Sequence, residues 1–234
     1  MKVLTLIVTL SLLLSCSSKH YIHIHENNSS SINFTISNSD SLIRTLSEWG
    51  SIQELKNGII DLNEVKKELL LDENISNVEV ISNNDTLYSG KFSTSDITTL
   101  FQGSTRNLPN DAKIFSIEKN EDLKTLTISL SIDNYKYLKK SLPILQEESL
   151  EMLGPDANRD ISIVEYLDMM SFTLGDDGVK DIESSNVKLY ITVDGSITNV
   201  EGGKKIGDNQ ALFSIPLLDI ILLKKGIKLL ISYT

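Results

Sequence analysis

The chain has 234 residues, with 32 acidic against 22 basic side chains and a formal net charge of −10. That balance disfavours nucleic acid as a partner, because phosphates are bound by clustered Lys and Arg, and it disfavours electrostatic adhesion to anionic headgroups. At 40% hydrophobic content the chain is globular in character, long enough for one large domain or two small ones, and its single cysteine excludes a framework of internal disulfides.

Residues 1–16 have the layout of an export signal. Lys2 is basic, Val3 to Leu14 is an almost wholly apolar run, and small Ser15 precedes Cys16. The run is about a dozen residues, short of the ~20 that a helical membrane anchor needs. Leu13-Leu14-Ser15-Cys16 resembles the lipobox of bacterial lipoproteins. The resemblance implies removal of residues 1–15, diacylglycerol on the Cys16 sulfur and a fatty acid on the new N-terminus. Several acyl chains hold a protein stably where one is marginal, so the implied partner is a membrane and the implied location the cell envelope. Ser17 follows Cys16, where an aspartate would retain an enterobacterial-type lipoprotein at the inner membrane. The same resemblance therefore implies the outer membrane in a cell that has one.

Residues 16–19 read as a short acylated tether. His20 to His25 then alternates, with Tyr21 among the histidines and Ile22 and Ile24 opposite, and Ser31 to Ser37 alternates again through Ile32, Phe34 and Ile36. Polar residues 26–30 between them predict a β-hairpin. Asp40 to Leu55 has helical spacing, and Trp49 within it reads as core. Asp61-Leu62-Asn63-Glu64 has the form of a capping box and opens a helix through Leu71, with Leu62, Val65, Leu69 and Leu70 on one face. Val78 to Ile81 and Thr86 to Phe92 flank the turn signal Asn83-Asn84-Asp85, predicting a second hairpin. Ser95 is placed to cap a short helix over Ile97 to Phe101, and residues 102–112 read as a linker.

Beyond the linker, Ile114 to Ile117 and Leu123 to Ile132 predict a third hairpin, and Tyr135 to Leu153 a helix containing Pro143. Ser162 to Leu174 predicts a further helix. Val187 to Val193, the tight turn Asp194-Gly195 and Ser196 to Val200 read as a strand and its return, and Ala211 to Ile215 and Ile227 to Tyr233 as closing strands. The very apolar Ile215 to Leu223 reads as core, being too short to span a bilayer. The fold class expected is α+β: antiparallel hairpins with helix pairs on one face. Residues 20–101 and 113–234 form two halves or one continuous domain. An internal duplication is left open, because Ile32 to Leu46 and Leu126 to Leu138 share a strand–polar–helix order. The order from Val187 through Gly202-Gly203 to Leu217 resembles the C-terminal part of some uncharacterised exported lipoprotein domains. That implies an extracytoplasmic α+β domain and supplies no catalytic residues.

Asp156, Asn158 and Asp160 place oxygen ligands at alternating positions between two helices, as a helix–loop–helix calcium site does. Ile161 stands where such a loop needs glycine, and Leu167 where it needs a bidentate glutamate. The alternative is an acidic loop in which Ser162 and Glu165 form a capping box. His20, His23 and His25 are the only histidines. His23 and His25 would lie on one side of a strand, about 7 Å apart, suiting a transition metal. With no cysteine or fixed acidic partner beside them, they read as the solvated face of an edge strand.

Nothing supplies a Ser-His-Asp or Cys-His arrangement outside the tether region, and no phosphate-binding glycine loop is present. The reading is a non-catalytic interaction or ligand-binding module of the envelope, without a cofactor beyond the lipid on Cys16, and with an envelope protein or a lipid as partner. The alternatives are a weak calcium-binding protein and an enzyme using acid pairs such as Glu147-Glu148 or Asp176-Asp177.

Overall fold

The computed structural model describes residues 17–40, 62–84, 86–101, 108, 112–141 and 154–234. The helix expected from Asp40 to Leu55 (except Asp40 itself), Trp49, Asp61 and the Glu64 side chain of the expected capping box, most of the 102–112 linker, Pro143 and Glu147-Glu148 lie outside those residues.

Alternation along the chain produces the first two strands. In β1 (Ser17–Ile24) and β2 (Ser30–Ser37) every second side chain is buried, as a strand with one face on a core requires. They pair antiparallel, with Ile22 opposite Ile32. The strand begins three residues earlier than expected: residues 17–19, read as tether, belong to β1. Ser18 is buried opposite Ile36, and its hydroxyl is within hydrogen-bond distance of the His20 ring. β3 (Ile75–Asn84) and β4 (Leu87–Thr94) form the second hairpin. The Asn84 side-chain oxygen accepts from the backbone N–H groups of Thr86 and Leu87, which closes an Asx-type turn. α1 (Leu62–Leu69) buries Leu62, Val65 and Leu69. Leu70, expected on that face, lies in the turn after the helix and is exposed. The short helix after β4 is a single 3₁₀ turn (Ile97–Thr99), and Asp96 rather than Ser95 caps it by accepting from the Thr98 N–H.

The third hairpin is β5 (Phe115–Asn120) with β6 (Leu123–Leu130), followed by α2 (Ile132–Ser141). α3 (Ile163–Ser184) opens with the Ser162–Glu165 capping box. Its expected end at Leu174 is a break rather than a stop. Gly175 adopts φ 70, ψ 175, and helix resumes to Ser184. Val179 and Ile182 of the second segment pack against the core, so tertiary contact sustains a stretch that its own pattern does not announce. α4 (Leu217–Leu222) lies in the apolar Ile215–Leu223 stretch, with Leu217, Ile220, Ile221 and Leu222 buried.

The remaining strands depart most from expectation. β7 (Asn186–Val193) and β8 (Ile197–Glu201) do not pair with each other. β7 lies between β1 and β10 (Gln210–Pro216), whereas β8 joins β11 (Ile227–Tyr233) in the other sheet. Alternation identifies a strand but not its partner, and at Asp194–Ser196 the chain crosses between sheets. An exposed edge strand that was not anticipated, β9 (Lys204–Gly207), pairs with β10.

The result is a mixed, sheet-dominated fold: among the described residues, a seven-stranded sheet ordered β3-β4-β2-β1-β7-β10-β9, a four-stranded sheet ordered β5-β6-β11-β8, and four helices. Among the described residues, helix pairs do not organise it. The larger sheet takes strands from both sequence halves, and one hydrophobic core joins the two sheets. The first two hairpins meet through β2 and β4, whereas β5–β6 meets β11 and then β8, so the halves do not repeat one topology. β1, expected at an edge, is central because β7 pairs with it in parallel.

Candidate functional site

Between the sheets lies a cavity of about 100 Å³. The larger sheet contributes His20, Ile22, Val187 and Leu189 to its wall, the smaller one Ile128, Leu130 and Ile227, and Leu138 of α2 and Ile220 of α4 close it. Register places it within the molecule. His20 lies beside Leu189 and Ser18 beside Val187. Ile24, Ile191 and Val193, further along the same two strands, are fully buried and form no part of the wall. Ile32 and Phe92, in register with Ile22, also line it, so the cavity crosses the larger sheet obliquely from Val187, beside Ser18, to the level of Ile22. His20 is four residues from Cys16, about 13 Å of extended chain.

His20 is the one polar side chain in this wall. It shares the inward face of β1 with Ile22 and Ile24 and makes its side-chain contact with the Ser18 hydroxyl at 3.1 Å. Burial pushes its pKa down to about 4, so the imidazole is neutral near pH 7 and the wall carries no charge. His20, expected with the other histidines opposite Ile22 and Ile24, lies instead on the same inward face as those two isoleucines, as strict alternation requires. The cavity itself had no sequence signal, since it is space left between strands that pair over long range.

Cys16 lies outside the described residues, one position before β1. In the Asp156 loop, Asp156 faces Lys139 at 3.5 Å and Arg159 at 3.7 Å. Asn158 is buried, and its amide donates to the Gly154 carbonyl at 2.8 Å. The Lys224 ammonium donates to the carbonyls of Asn158 and Arg159 at 2.9 and 2.6 Å. A lysine from the α4–β11 connection thus sits on oxygens of the loop that was read as a calcium candidate. Asp160 is exposed. Asp176 and Asp177 follow the Gly175 break, and Asp177 pairs with Lys180 on the surface.

The histidines separate. His23 and His25 face outward, and the parallel register carries Asp194 to them, because Ile24 lies beside Val193. His23 Nε2 is 2.7 Å from Asp194 Oδ1, His25 Nδ1 is 3.2 Å from Oδ2, and the Glu26 N–H donates to Oδ2 at 3.2 Å. Desolvation alone would raise the Asp194 pKa. The two imidazoles and the Glu26 N–H outweigh it and hold the carboxyl below its ordinary value. Asp194 is the acidic partner missing from the sequence reading, 169 residues from His25. Its only local signal is the Asp-Gly turn.

α3 carries the most exposed large apolar side chain, Phe172 at 93%, together with Ile163 and Val164. No described helix is long and apolar enough to cross a membrane.

No family model matches the chain, and no curated protein matches it. Among solved structures it is similar to the folded domain of the LppM protein of Mycobacterium tuberculosis, at 9% identity and a TM-score of 0.43, over 94% of this chain and 89% of that one.

Proposed function

We propose that the protein is a non-catalytic, lipid-anchored module of the cell envelope that takes the end of an acyl chain into the cavity between its sheets. The observation that carries this reading is the cavity itself: apolar, uncharged at neutral pH, and walled in part by His20 and Ile22 of β1, the strand that follows Cys16. If Cys16 is acylated, as its Leu-Leu-Ser-Cys context suggests, that end of the fold is held against the membrane, and the nearest apolar ligand is a lipid tail.

Size sets the affinity. An apolar cavity of roughly 150 Å³ stays dry and admits a benzene ring, so about 100 Å³ suits the last few methylenes of one chain. At ~0.8 kcal/mol per buried methylene, about four contribute roughly 3 kcal/mol. That is weak for a free solute and adequate for a lipid already concentrated beside the protein.

The probe for this is a phospholipid with a diazirine at the end of one acyl chain, in vesicles carrying the anchored full chain. Photolysis should crosslink the chain end to cavity residues such as Ile128 and Leu130, and Leu189→Trp, which fills the cavity, should lower that crosslinking at least tenfold while the far-ultraviolet circular dichroism stays unchanged. Equal crosslinking in the two proteins, or crosslinks only outside the cavity, would place the chain end elsewhere and defeat the reading.

A further inference from the structure

At the opposite end of β1 from Cys16, among the described residues, one nitrogen of His23, one nitrogen of His25 and a carboxylate oxygen of Asp194 lie within 4.8 Å of one another. Three features make this more than a surface ion pair. The donors come from two elements that the fold holds in register, the β1 end and the β7-to-β8 crossover. Asp194 cannot easily swing away, because the Glu26 N–H donates to its Oδ2 and its own N–H donates to the Ile24 carbonyl at 3.2 Å. The side chains are 33–44% exposed, so an ion reaches them without opening the core.

We propose that His23, His25 and Asp194 bind one transition-metal dication of the zinc class, which clasps the first hairpin to the crossover between the two sheets. Bonds of about 2.0–2.1 Å to a tetrahedral ion set neighbouring donors about 3.3 Å apart. The His23–Asp194 and His25–Asp194 separations of 2.7 and 3.2 Å, each to its own carboxylate oxygen, are near that, and rotation of the carboxylate and the imidazoles draws one oxygen and both nitrogens, now within 4.8 Å of one another, around one ion. The tautomers permit it. In the metal-free arrangement His23 Nε2 donates to Asp194. A neutral imidazole offers that nitrogen as a lone pair by carrying its proton on Nδ1 instead, and no net proton is lost. Two imidazoles and one carboxylate leave the fourth position of the ion to water. The donor set also discriminates: imidazole nitrogen suits zinc, copper and nickel, whereas calcium and magnesium take oxygen.

The surroundings are compatible with an ion. The Lys124 ammonium donates to the Glu26 backbone carbonyl rather than to any of the three donors. The Tyr233 hydroxyl is buried without a hydrogen-bond partner, and burial together with the Asp194 charge raises its pKa to about 12. A cation on Asp194 offsets the charge this phenol faces. Being at the other end of β1, the site is independent of the cavity and of any lipid on Cys16.

The test is a calorimetric titration of the full chain in detergent with zinc chloride, with calcium chloride as the control. One zinc per chain is expected. Melting temperature should rise by about 5–10 °C at a hundredfold excess over the dissociation constant, and calcium should give no comparable rise. The paired change His23→Gln with His25→Gln should weaken zinc binding a hundredfold or more, and Asp194→Asn, which keeps the shape and removes the charge, at least tenfold. Circular dichroism of the metal-free variants checks that these exposed substitutions leave the fold intact. Absence of stoichiometric zinc binding by the wild-type chain, or an affinity unchanged in Asp194→Asn, overturns the three-residue site.

Discussion

Burying an imidazole beside one serine hydroxyl makes stability depend on pH. Burial holds the His20 pKa at about 4, against 6.5 for a free imidazole. Between those values the unfolded chain holds more protons than the folded one, so stability is complete above pH 6.5 and falls as pH drops towards 4. At ~1.4 kcal/mol per pH unit, His20 should lower stability by about 2 kcal/mol between pH 7 and pH 5. Urea unfolding midpoints at the two pH values measure this, and His20→Gln should remove that part of the slope. A second residue-scale prediction concerns Gly195. A Cβ there would lie 1.5 Å from the Thr234 carbonyl oxygen, an overlap with backbone that no rotamer change relieves. Gly195→Ala should cost about 1–3 kcal/mol. Because it shifts the turn that presents Asp194, it should also weaken zinc binding, and melting with and without zinc separates the two effects.

Among the elements, α3 shows how much a helix owes to its ends and how much to its contacts. Its start is local chemistry: Ser162 and Glu165 satisfy each other's backbone N–H groups, and Ser162→Ala should cost about 1 kcal/mol in a urea melt. Its break is a backbone property. No atom lies within 4 Å of a Cβ built on Gly175, so Gly175→Ala meets no clash, only the strain of φ 70, ψ 175. That region is essentially confined to glycine, and the expected loss is about 1–3 kcal/mol. The loop before α3 already has Lys224 on two of its carbonyls and Lys139 and Arg159 beside Asp156. Calcium would have to compete with these cations. The expected outcome is no change in melting temperature at micromolar calcium and at most a small rise at several millimolar. A micromolar shift that disappears in Asp156→Ala would instead assign calcium to this loop.

For the whole molecule, the consequential feature is that β1 is central and begins one residue after Cys16. A lipid on Cys16 would then be joined with no free tether to the strand whose His20 and Ile22 line the cavity. Cys16→Ala should release the protein from membranes under carbonate extraction while leaving its melting temperature unchanged. Retention of that variant on membranes would remove the anchor from the account. The exposed Phe172 on α3 is not needed for the fold: Phe172→Ser should change stability by less than about 0.5 kcal/mol.

The sequence by itself determined what depends on near neighbours. The three hairpins, the Ser162–Glu165 cap, the inward Ile22 and Ile24 of β1 and the burial of Leu217, Ile220, Ile221 and Leu222 follow from alternation, turn residues, capping spacing and apolar runs, which act over a few positions. The partners of the strands were decided only in the tertiary structure. Nothing near Val187 indicates that it runs parallel to Ser18, and nothing near Asp194 indicates that its carboxylate meets His23 and His25. Both candidate sites depend on that one β1–β7 pairing, which brings residues about 170 positions apart into contact. One site is a gap between sheets, and the other is three side chains gathered at a crossover. Local pattern specifies that a strand forms and which face is apolar. The burial of the whole core selects which strand it lies beside, and that selection is where both sites arise.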